Sequence, residues 1–391
     1  MGDRRPVIEE PRQTPSIGLP LRCAVVIQTP KDPQSAVYMS YQTLALALEG
    51  LGHSVEIVSP GDFAGLARVG GRWVPLAYPL AVASWLRRRR GDFDFVMFHS
   101  YAGWLATALA RGRPRSLVMF HGVEPLYHRE LREEAAAEGH PLSWRYRALQ
   151  EILMPLMLRI ACRTANGVTC LNGAEAAYLS SRGWAPAAGP KVLAHGVPPE
   201  FFVAHRVARP LKALLFVGQW LPMKGIRYLR DAASVLLRED STLRLTCAGT
   251  LASADTVLAG FPPEVRGSIS VLPRLDQTGL ADCYRDADAF VFPSLYEGFS
   301  RAIVEAMASR LPIVSTAVGV AADALRDEES VLFVPKRNAN AIVSAIRRLQ
   351  ADSLLSARLG AAAAGAAERY TQPVVRAHTV DVILEEAGGS R

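Results

Sequence analysis

The chain lacks the cysteine spacing of a metal centre or a disulfide framework. It has five cysteines in 391 residues, and they are odd in number and scattered: Cys23, Cys162, Cys170, Cys247 and Cys283. It has no Cys-x-x-Cys pair and no cluster of His and Cys at metal-ligand spacing. This favours reduced thiols in a cytoplasmic protein and a site that uses no metal.

Several catalytic signatures are also missing. There is no Gly-x-Ser-x-Gly elbow and no His-Glu-x-x-His pair, so nothing supports a hydrolase triad or a zinc protease. Lys224 follows a glycine-containing loop, but no Ser or Thr comes after it for magnesium as in a Walker A loop.

Long apolar runs are absent too. The longest, residues 73–86, contains two prolines and is too short to cross a bilayer. Residues 1–20 are polar and contain prolines, which argues against a secretory signal and predicts a disordered tail. We expect a cytoplasmic protein.

The net positive charge lies in the first half of the chain. Residues 1–209 carry the whole net charge of +7, and the remainder is neutral. The run Arg87–Arg90 follows the aromatic-bearing segment WVPLAYPLAVASWL. It is either a solvated helix end or a peripheral contact with the anionic inner face of a membrane. No nucleic-acid-binding motif accompanies these charges, so we expect no nucleic-acid partner.

Two halves alternate strands with helices. The first contains RCAVVIQ, SVEIVS, FDFVMF, SLVMF, GVTCL and KVLAHG, and the second contains KALLFVG, LRLTCAG, SISVL, DAFVF and PIVST. This predicts an α/β protein with two Rossmann-like parallel-sheet domains, over 21–205 and 206–372, facing an interdomain cleft. The last segment, 373–391, is predicted as a helix packing back on the first domain.

Two glutamates eight residues apart form the most informative pattern. In PSLYEGFSRAIVEAMA, residues 293–308, a buried strand leads through a turn at Gly298 into a helix. The helix start offers N–H groups at Phe299 and Ser300 to a phosphate. Glu305 lies about 9 Å further along, the distance from a diphosphate to a ribose. The alternative is that Glu297 is a helix-entry acid and Glu305 a solvated position.

Two other strand ends carry candidate site residues. Gly218 ends a strand, and Lys224 begins the next helix six residues later, which suits a diphosphate but is equally typical of a solvated lysine. His121 follows SLVMF, where it can contact a substrate hydroxyl or serve as a strand-end hydrogen-bonding residue. His99 occupies a similar position.

Taken together, FVGQWLPMKGIRYL, FVFPSLYEGFSRAIVEAMASRLPIVSTAVG and FHG resemble the retaining, nucleotide-sugar-dependent glycosyltransferases of family four, which have the GT-B fold. The resemblance implies that Glu305 binds the donor ribose and that Glu297 lies against the donor sugar. It implies that Lys224 holds the diphosphate with the amides of the glutamate turn, and that His121 contacts the sugar. The implied site residues are, on the catalytic side, His121, Glu297 and Lys224; on the donor side, Gly218, Gln219, Lys224, Arg274, Gly298, Phe299, Ser300 and Glu305; and on the acceptor side, Ser35, Ala36, His99 and Glu124.

The chain departs from the family pattern at several positions. Gln219 stands where the family usually has arginine, which leaves Lys224 as the cation of that motif. Ser300 replaces a usual glycine, Ser35-Ala36 replaces a glycine pair, and His195-Gly196 replaces Asn-Gly.

The resemblance implies a retaining, metal-independent transferase without a cofactor. It would move a sugar from a nucleotide-diphosphate sugar to a glycan, lipid-linked or small-molecule acceptor, as in envelope or polysaccharide synthesis. One alternative is a catalytically lapsed scaffold that binds a nucleotide sugar or a protein partner. Another is a nucleotide-sugar epimerase or a phosphorylase on the same fold.

Overall fold

The computed structural model describes residues 19–33, 35–69, 73–110, 112–207 and 209–388. The tail predicted over 1–20 thus lies, apart from its last two residues, outside the described part of the chain.

Strands and helices alternate along both halves. The strands are β1 Arg22–Val26, β2 Ser54–Val58, β3 Phe95–His99, β4 Arg115–Met119, β5 Gly167–Cys170, β6 Lys191–Val192, β7 Ala213–Val217, β8 Arg244–Ala248, β9 Ile269–Leu272, β10 Ala289–Phe292, β11 Ile313–Ser315 and β12 Leu332–Phe333. The helices are α1 Ala36–Glu49, α2 Val74–Arg88, α3 Trp104–Ala110, α4 Glu124–Ala137, α5 Trp144–Ala148, α6 Met154–Thr164, α7 Gly173–Ser181, α8 Ile226–Glu239, α9 Ala254–Ala259, α10 Gln277–Asp286, α11 Arg301–Ala308, α12 Val320–Ala324, α13 Ala339–Ala351, α14 Ser353–Ala367 and α15 Gln372–Glu386.

The first sheet is parallel and has the order β2-β1-β3-β4-β5-β6. Its central strands are apolar on both faces, and all four residues from Phe95 to Phe98 are buried. Such strands form a sheet only when helices cover both sides, which the alternating helices provide. Because β2 and β3 flank β1 on opposite sides, the strand order reverses between β1 and β3. Open α/β sheets bind ligands at the carboxyl ends of the strands at such a point.

The second sheet is parallel as well, with the order β12-β11-β10-β7-β8-β9. Its reversal point lies between β7 and β10, which are hydrogen-bonded neighbours. The four residues of β10 are all buried. The two six-stranded sheets confirm the predicted two-domain α/β architecture. The part of the prediction that concerns a ligand in a cleft between the domains stays a prediction.

The described chain divides into two compact units. One comprises the described residues of 19–33, 35–69, 73–110, 112–129, 140–195 and 373–388, and the other comprises 130–139, 196–207 and 209–372. The terminal helix α15 contacts the first sheet, since Arg115 Nε donates to the Glu386 carbonyl at 2.8 Å. The contacts change unit at His195–Gly196, whereas the sequence analysis placed the boundary at 205/206.

The arginine run at the end of α2 is largely committed to the protein's own groups. Arg89 pairs with Glu56 at 2.7 Å and with Asp92 at 2.8 Å. Arg90 donates to the carbonyls of Arg113 and Ala110. These contacts anchor the helix end, so the run is only in part a free basic patch.

The described residues form neither a membrane-spanning helix nor a metal-binding cluster. No helix among them has the length and apolarity needed to span a bilayer. Nor do three or more His, Cys, Asp or Glu residues of that part of the chain come together as a metal-binding group.

Candidate functional site

The loops after β7 and β10 bring the catalytic-side pair of the second sheet together. Lys224 Nζ lies 2.6 Å from Glu297 Oε1, and Ser294 Oγ donates to the same carboxylate oxygen at 2.7 Å. The Glu297 side chain is 9% exposed and that of Lys224 is 26% exposed. The lysine therefore keeps a solvent-facing side from which it can meet a further anion. This role of Ser294 was not predicted from the sequence.

Two glycines allow the turns of this site to pack closely. Gly225 has φ +70°, and a Cβ there would lie 1.9 Å from the Pro293 carbonyl oxygen. Gly319, after β11, has φ +52°, and a Cβ there would lie 2.5 Å from the Phe299 carbonyl oxygen and 2.9 Å from Glu297 Cβ. Only glycine fits such positions without strain. Gly319 was missed by the sequence analysis, because it is far along the chain from the glutamate turn.

Glu305 is buried in the second sheet's unit, and this excludes a solvated helix position. Its carboxyl is 3% exposed and accepts a hydrogen bond from the Tyr284 hydroxyl at 3.0 Å. Arg301 Nη2 lies 3.5 Å from its other oxygen. Burial raises the pKa of Glu305, and the charge of Arg301 and the bond from Tyr284 partly oppose that rise. Tyr284 holds the carboxyl in place, a role that could not be predicted from the sequence.

Ser300 precedes α11 in a backbone conformation that favours glycine. Its φ is +76°, in the left-handed region, and its hydroxyl makes no capping bond to the helix. The hydroxyl oxygen is buried without a hydrogen-bond partner. Phe299 beside it is buried, and its carbonyl accepts the Val320 N–H at 2.8 Å. The serine therefore occupies the glycine position of the family pattern under strain.

The remaining donor-side residues lie in loops of the second unit. Gly218 follows β7, and its N–H donates to the Ala248 carbonyl at 3.0 Å. Gln219 is exposed, and Gly298 is buried within the glutamate turn. Arg274 is exposed in the loop after β9, and its part in binding the donor stays a prediction.

Aromatic and imidazole rings cluster at the carboxyl ends of β3 and β4 in the first unit. The ring of His121 lies 4.7 Å from Tyr41, 5.3 Å from His99 and 5.4 Å from His195, measured between centroids. Burial lowers the pKa of His121 to about 4, and burial together with the charge of His121 lowers the pKa of His99 to about 3. Both imidazoles are therefore neutral at pH 7.

Glu124 begins α4 beside these rings. One of its carboxylate oxygens accepts the Ser100 hydroxyl, while Oε2 is buried without a partner. Burial raises the pKa of Glu124 to about 7, against the lowering effect of the bond from Ser100. Ser100 is buried and has φ +52°. A strained residue and a carboxyl of raised pKa are features that gather at functional sites.

A second buried glutamate nearby is fully satisfied. Glu175 accepts the backbone N–H groups of Val123 and Leu171, each at 3.0 Å, and so fixes the loop after β4. Ser35 caps α1 by accepting the Tyr38 N–H, and Ala36 is the first residue of that helix. The acceptor-side roles of Ser35 and Ala36 stay predictions.

Unpartnered buried polar atoms are concentrated in the first unit. A buried polar group without a hydrogen bond costs roughly 1–3 kcal/mol, so a group of them needs an explanation. In the described part of the chain these atoms are Thr29 Oγ1, Tyr41 Oη, His99 Nδ1, Trp104 Nε1, Glu124 Oε2, Gln150 Oε1 and, in the second unit, Ser300 Oγ. We call Thr29, Tyr41, His99, Ser100, His121 and Glu124 the Tyr41 cluster.

The chain matches two family models. Residues 212–352 match the one described as glycosyl transferases group 1, and residues 39–201 match the one described as glycosyltransferase family 4.

Curated relatives match over most of the chain. Identity is 30% over 358 residues with a D-inositol 3-phosphate glycosyltransferase of Geodermatophilus obscurus, covering 84% of this chain and 76% of the relative. A second relative of that description, from Streptomyces bingchenggensis, is 29% identical over 86% of this chain and 76% of its own. A phosphatidyl-myo-inositol mannosyltransferase of Mycobacterium tuberculosis is 26% identical, covering 94% and 96%.

Solved structures share the fold. Sucrose-phosphate synthase from Thermosynechococcus elongatus superposes with a TM-score of 0.74 at 18% identity, over 94% of this chain and all of the other. The Anabaena HepE protein in complex with UDP gives 0.66 at 14%, over 93% and 100%. Because the identities are this low, the superpositions show the fold alone, and they confirm the predicted GT-B fold.

Proposed function

Since the chain belongs to the family-four glycosyltransferases and transfers a sugar from a nucleotide-sugar donor, we propose that transfer proceeds with retention and without a metal. The observation that carries this is the Lys224–Glu297 pair, held at the strand-order reversal of the second sheet. The ammonium group of Lys224, held at that point, can stabilise the negative charge that grows on the departing nucleotide diphosphate.

The donor is bound by the second unit. Glu305, oriented by Tyr284, accepts hydroxyls of the ribose. Lys224 and the start of α11 at Ser300 stabilise the diphosphate, where the helix dipole favours negative charge. Glu297 contacts the transferring sugar. In the first unit, the neutral His121 either donates a hydrogen bond to a sugar hydroxyl or accepts one from it.

The acceptor presents a hydroxyl and belongs to a glycan, a lipid-linked molecule or a small molecule. Peripheral membrane contact fits α2 and the residue before it, since Trp73, Leu80 and Arg87 are seven residues apart and exposed. At that spacing the three lie on one side of the helix. Replacing Arg87 and Arg88 by serine is expected to lower co-sedimentation with anionic vesicles. Unchanged co-sedimentation would end the membrane proposal.

The test of transfer is donor turnover. We expect the wild type to hydrolyse or transfer the sugar of at least one common UDP-, GDP- or ADP-sugar, and Glu297→Ala to lose this activity. Because Glu329 is exposed in the same unit, Glu329→Ala is the matched control. Turnover that persists in Glu297→Ala would contradict the proposed site.

A second candidate is the catalytically lapsed scaffold, which is favoured by one observation. Gln219 stands, exposed, where the family usually has arginine. The lapsed form is correct if the wild type binds a nucleotide without turning over any donor and the Gln219→Arg variant shows turnover. Turnover by the wild type rules it out.

A further inference from the structure

The Tyr41 cluster lies where the first sheet is expected to bind a ligand. Thr29 follows β1, and His99 ends β3, the two strands between which the strand order reverses. The side chain of Gln28 ties these strand ends together, since its Nε2 donates to the His99 carbonyl at 2.9 Å. Tyr41, only 1% exposed, reaches the same place from α1.

We propose that the Tyr41 cluster binds the acceptor through uncharged hydroxyl groups, and that Glu124 excludes a phosphate from this position. The inference rests on the proposed glycosyl transfer and names the chemistry of its acceptor. It separates this chain from the relatives described as D-inositol 3-phosphate glycosyltransferases, whose printed substrate carries a phosphate.

The available atoms match hydroxyl groups. Tyr41 Oη and Thr29 Oγ1 can each donate and accept, the neutral His99 can do either through its Nδ1, and Glu124 Oε2 accepts. A sugar or polyol hydroxyl also donates one hydrogen bond and accepts others. Several such groups on one ring would satisfy these atoms together, as a site built for hydroxyls does.

The charge of the cluster disfavours phosphate. No lysine or arginine of the described chain pairs with Glu124, and the imidazoles of His99 and His121 are neutral. At pH 8, above the raised pKa of Glu124, a phosphate would face a carboxylate of the same sign without a cation to offset it, in a place with little water to screen the repulsion.

A purely structural role fits Glu124 poorly. Glu175, equally buried beside it, accepts two backbone N–H groups and supports the loop. Glu124 instead leaves Oε2 without a partner, and Ser100, which donates to its other oxygen, has a strained backbone. Strain of this kind persists where a side chain must be aimed at a ligand.

The test compares binding of three sugars or polyols with their monophosphates, by calorimetry at pH 8. The probes are myo-inositol, glucose and mannose, each against its monophosphate. At least one uncharged probe is expected to bind, and its monophosphate to bind at least about tenfold more weakly. Tyr41→Phe removes one hydroxyl and should weaken the uncharged probe about fivefold to tenfold, by the loss of a single hydrogen bond. Tyr178→Phe, on α7, is the control.

The Glu124→Gln variant distinguishes the exclusion of phosphate by charge from a structural role of this glutamate. It keeps the size of the side chain and removes its charge. The ratio between the affinities for the uncharged probe and for its monophosphate should therefore fall at least about fivefold. A structural role would weaken both probes equally. Glu138→Gln, exposed just after α4, should leave the preference unchanged.

The inference is overturned if the monophosphates bind more tightly than their uncharged partners, or if no uncharged probe binds. Nucleotide-sugar binding and hydrolysis are measured on the same samples. If the donor is bound and hydrolysed while the hydroxyl preference fails, only this inference falls. If the donor is neither bound nor hydrolysed, the proposed function fails first.

Discussion

The two sheets carry polar sites of opposite character at their reversal points. In the second unit, Glu297 is matched by Lys224 and Ser294, and Glu305 by Tyr284. In the first unit, Glu124 has the Ser100 hydroxyl on one oxygen and nothing on the other.

This difference indicates what each unit binds. A preformed ion pair with a solvent-facing lysine is suited to a strongly charged group such as a diphosphate, because its charges are already oriented. Neutral imidazoles and unpartnered hydroxyls are suited to groups without charge.

The largest effect is expected for Lys224→Ala. It removes the cation of the phosphate loop and leaves the buried Glu297 without its ion-pair partner. We expect turnover to fall by about 10²–10³ and stability by about 3 kcal/mol. Steady-state kinetics and thermal unfolding measure both. Lys212→Ala, at an exposed lysine before β7, is the control; a Lys224 variant that behaves like it would remove the basis of the charged site.

Gly225→Ala tests the close packing of the second site. The added Cβ would meet the Pro293 carbonyl at 1.9 Å, so the loop must shift, at a cost of about 3 kcal/mol. Gly183→Ala is the matched control, because Gly183 also has positive φ but open space around it. It should cost about 1 kcal/mol. Equal losses in denaturant unfolding would show that backbone conformation, not packing, requires the glycine.

The buried Glu124 of the first unit should make the free energy of unfolding depend on pH. The pKa of Glu124 is raised from 4.5 to about 7, which means that the folded protein favours the protonated carboxyl. The contribution of this group to the free energy of unfolding is therefore fully present below pH 4.5 and is lost as the pH rises through 7. Relative to Glu124→Gln, the wild type should lose about 1–3 kcal/mol over that range. His99 and His121 titrate in both proteins and cancel in the difference. A difference in unfolding free energy that stays constant from pH 4.5 to 8 would contradict the burial of this carboxyl.

The smallest effect is expected for Ser300→Gly. Glycine accepts φ +76° without strain, so the variant should gain about 1 kcal/mol. Ser300→Ala keeps the strain and removes only the buried hydroxyl, so it distinguishes the two causes. If the alanine variant is stabilised as much as the glycine variant, the unpartnered hydroxyl is the source of the cost.

The local geometry of the glutamate turn could be predicted from the sequence because its parts are close together in the chain. Glu297, Ser300 and Glu305 lie within one strand-turn-helix, where spacing alone limits the geometry. Strand alternation likewise predicted both sheets.

The first site could not be predicted in the same way. Tyr41, His99 and Glu124 come from separate elements, and only the order of the strands brings them together. Tyr41 gave no signal, since a tyrosine in an apolar helix is common, whereas the loop from Ser100 to Trp104 was expected from its position after a strand to line the acceptor pocket. Tyr284 and Gly319 were missed in the second site for the same reason.

The second unit is expected to bind the charged nucleotide diphosphate, and the Tyr41 cluster is expected to bind uncharged hydroxyls only. The direct measurement is calorimetric binding of UDP, GDP, ADP and their common sugar conjugates to the wild type, Glu305→Ala and Glu124→Gln. The nucleotide bound by the wild type should bind at least about tenfold more weakly to Glu305→Ala, through loss of its ribose contacts, and equally well to Glu124→Gln. Unchanged binding to Glu305→Ala, or binding lost in Glu124→Gln, would contradict it.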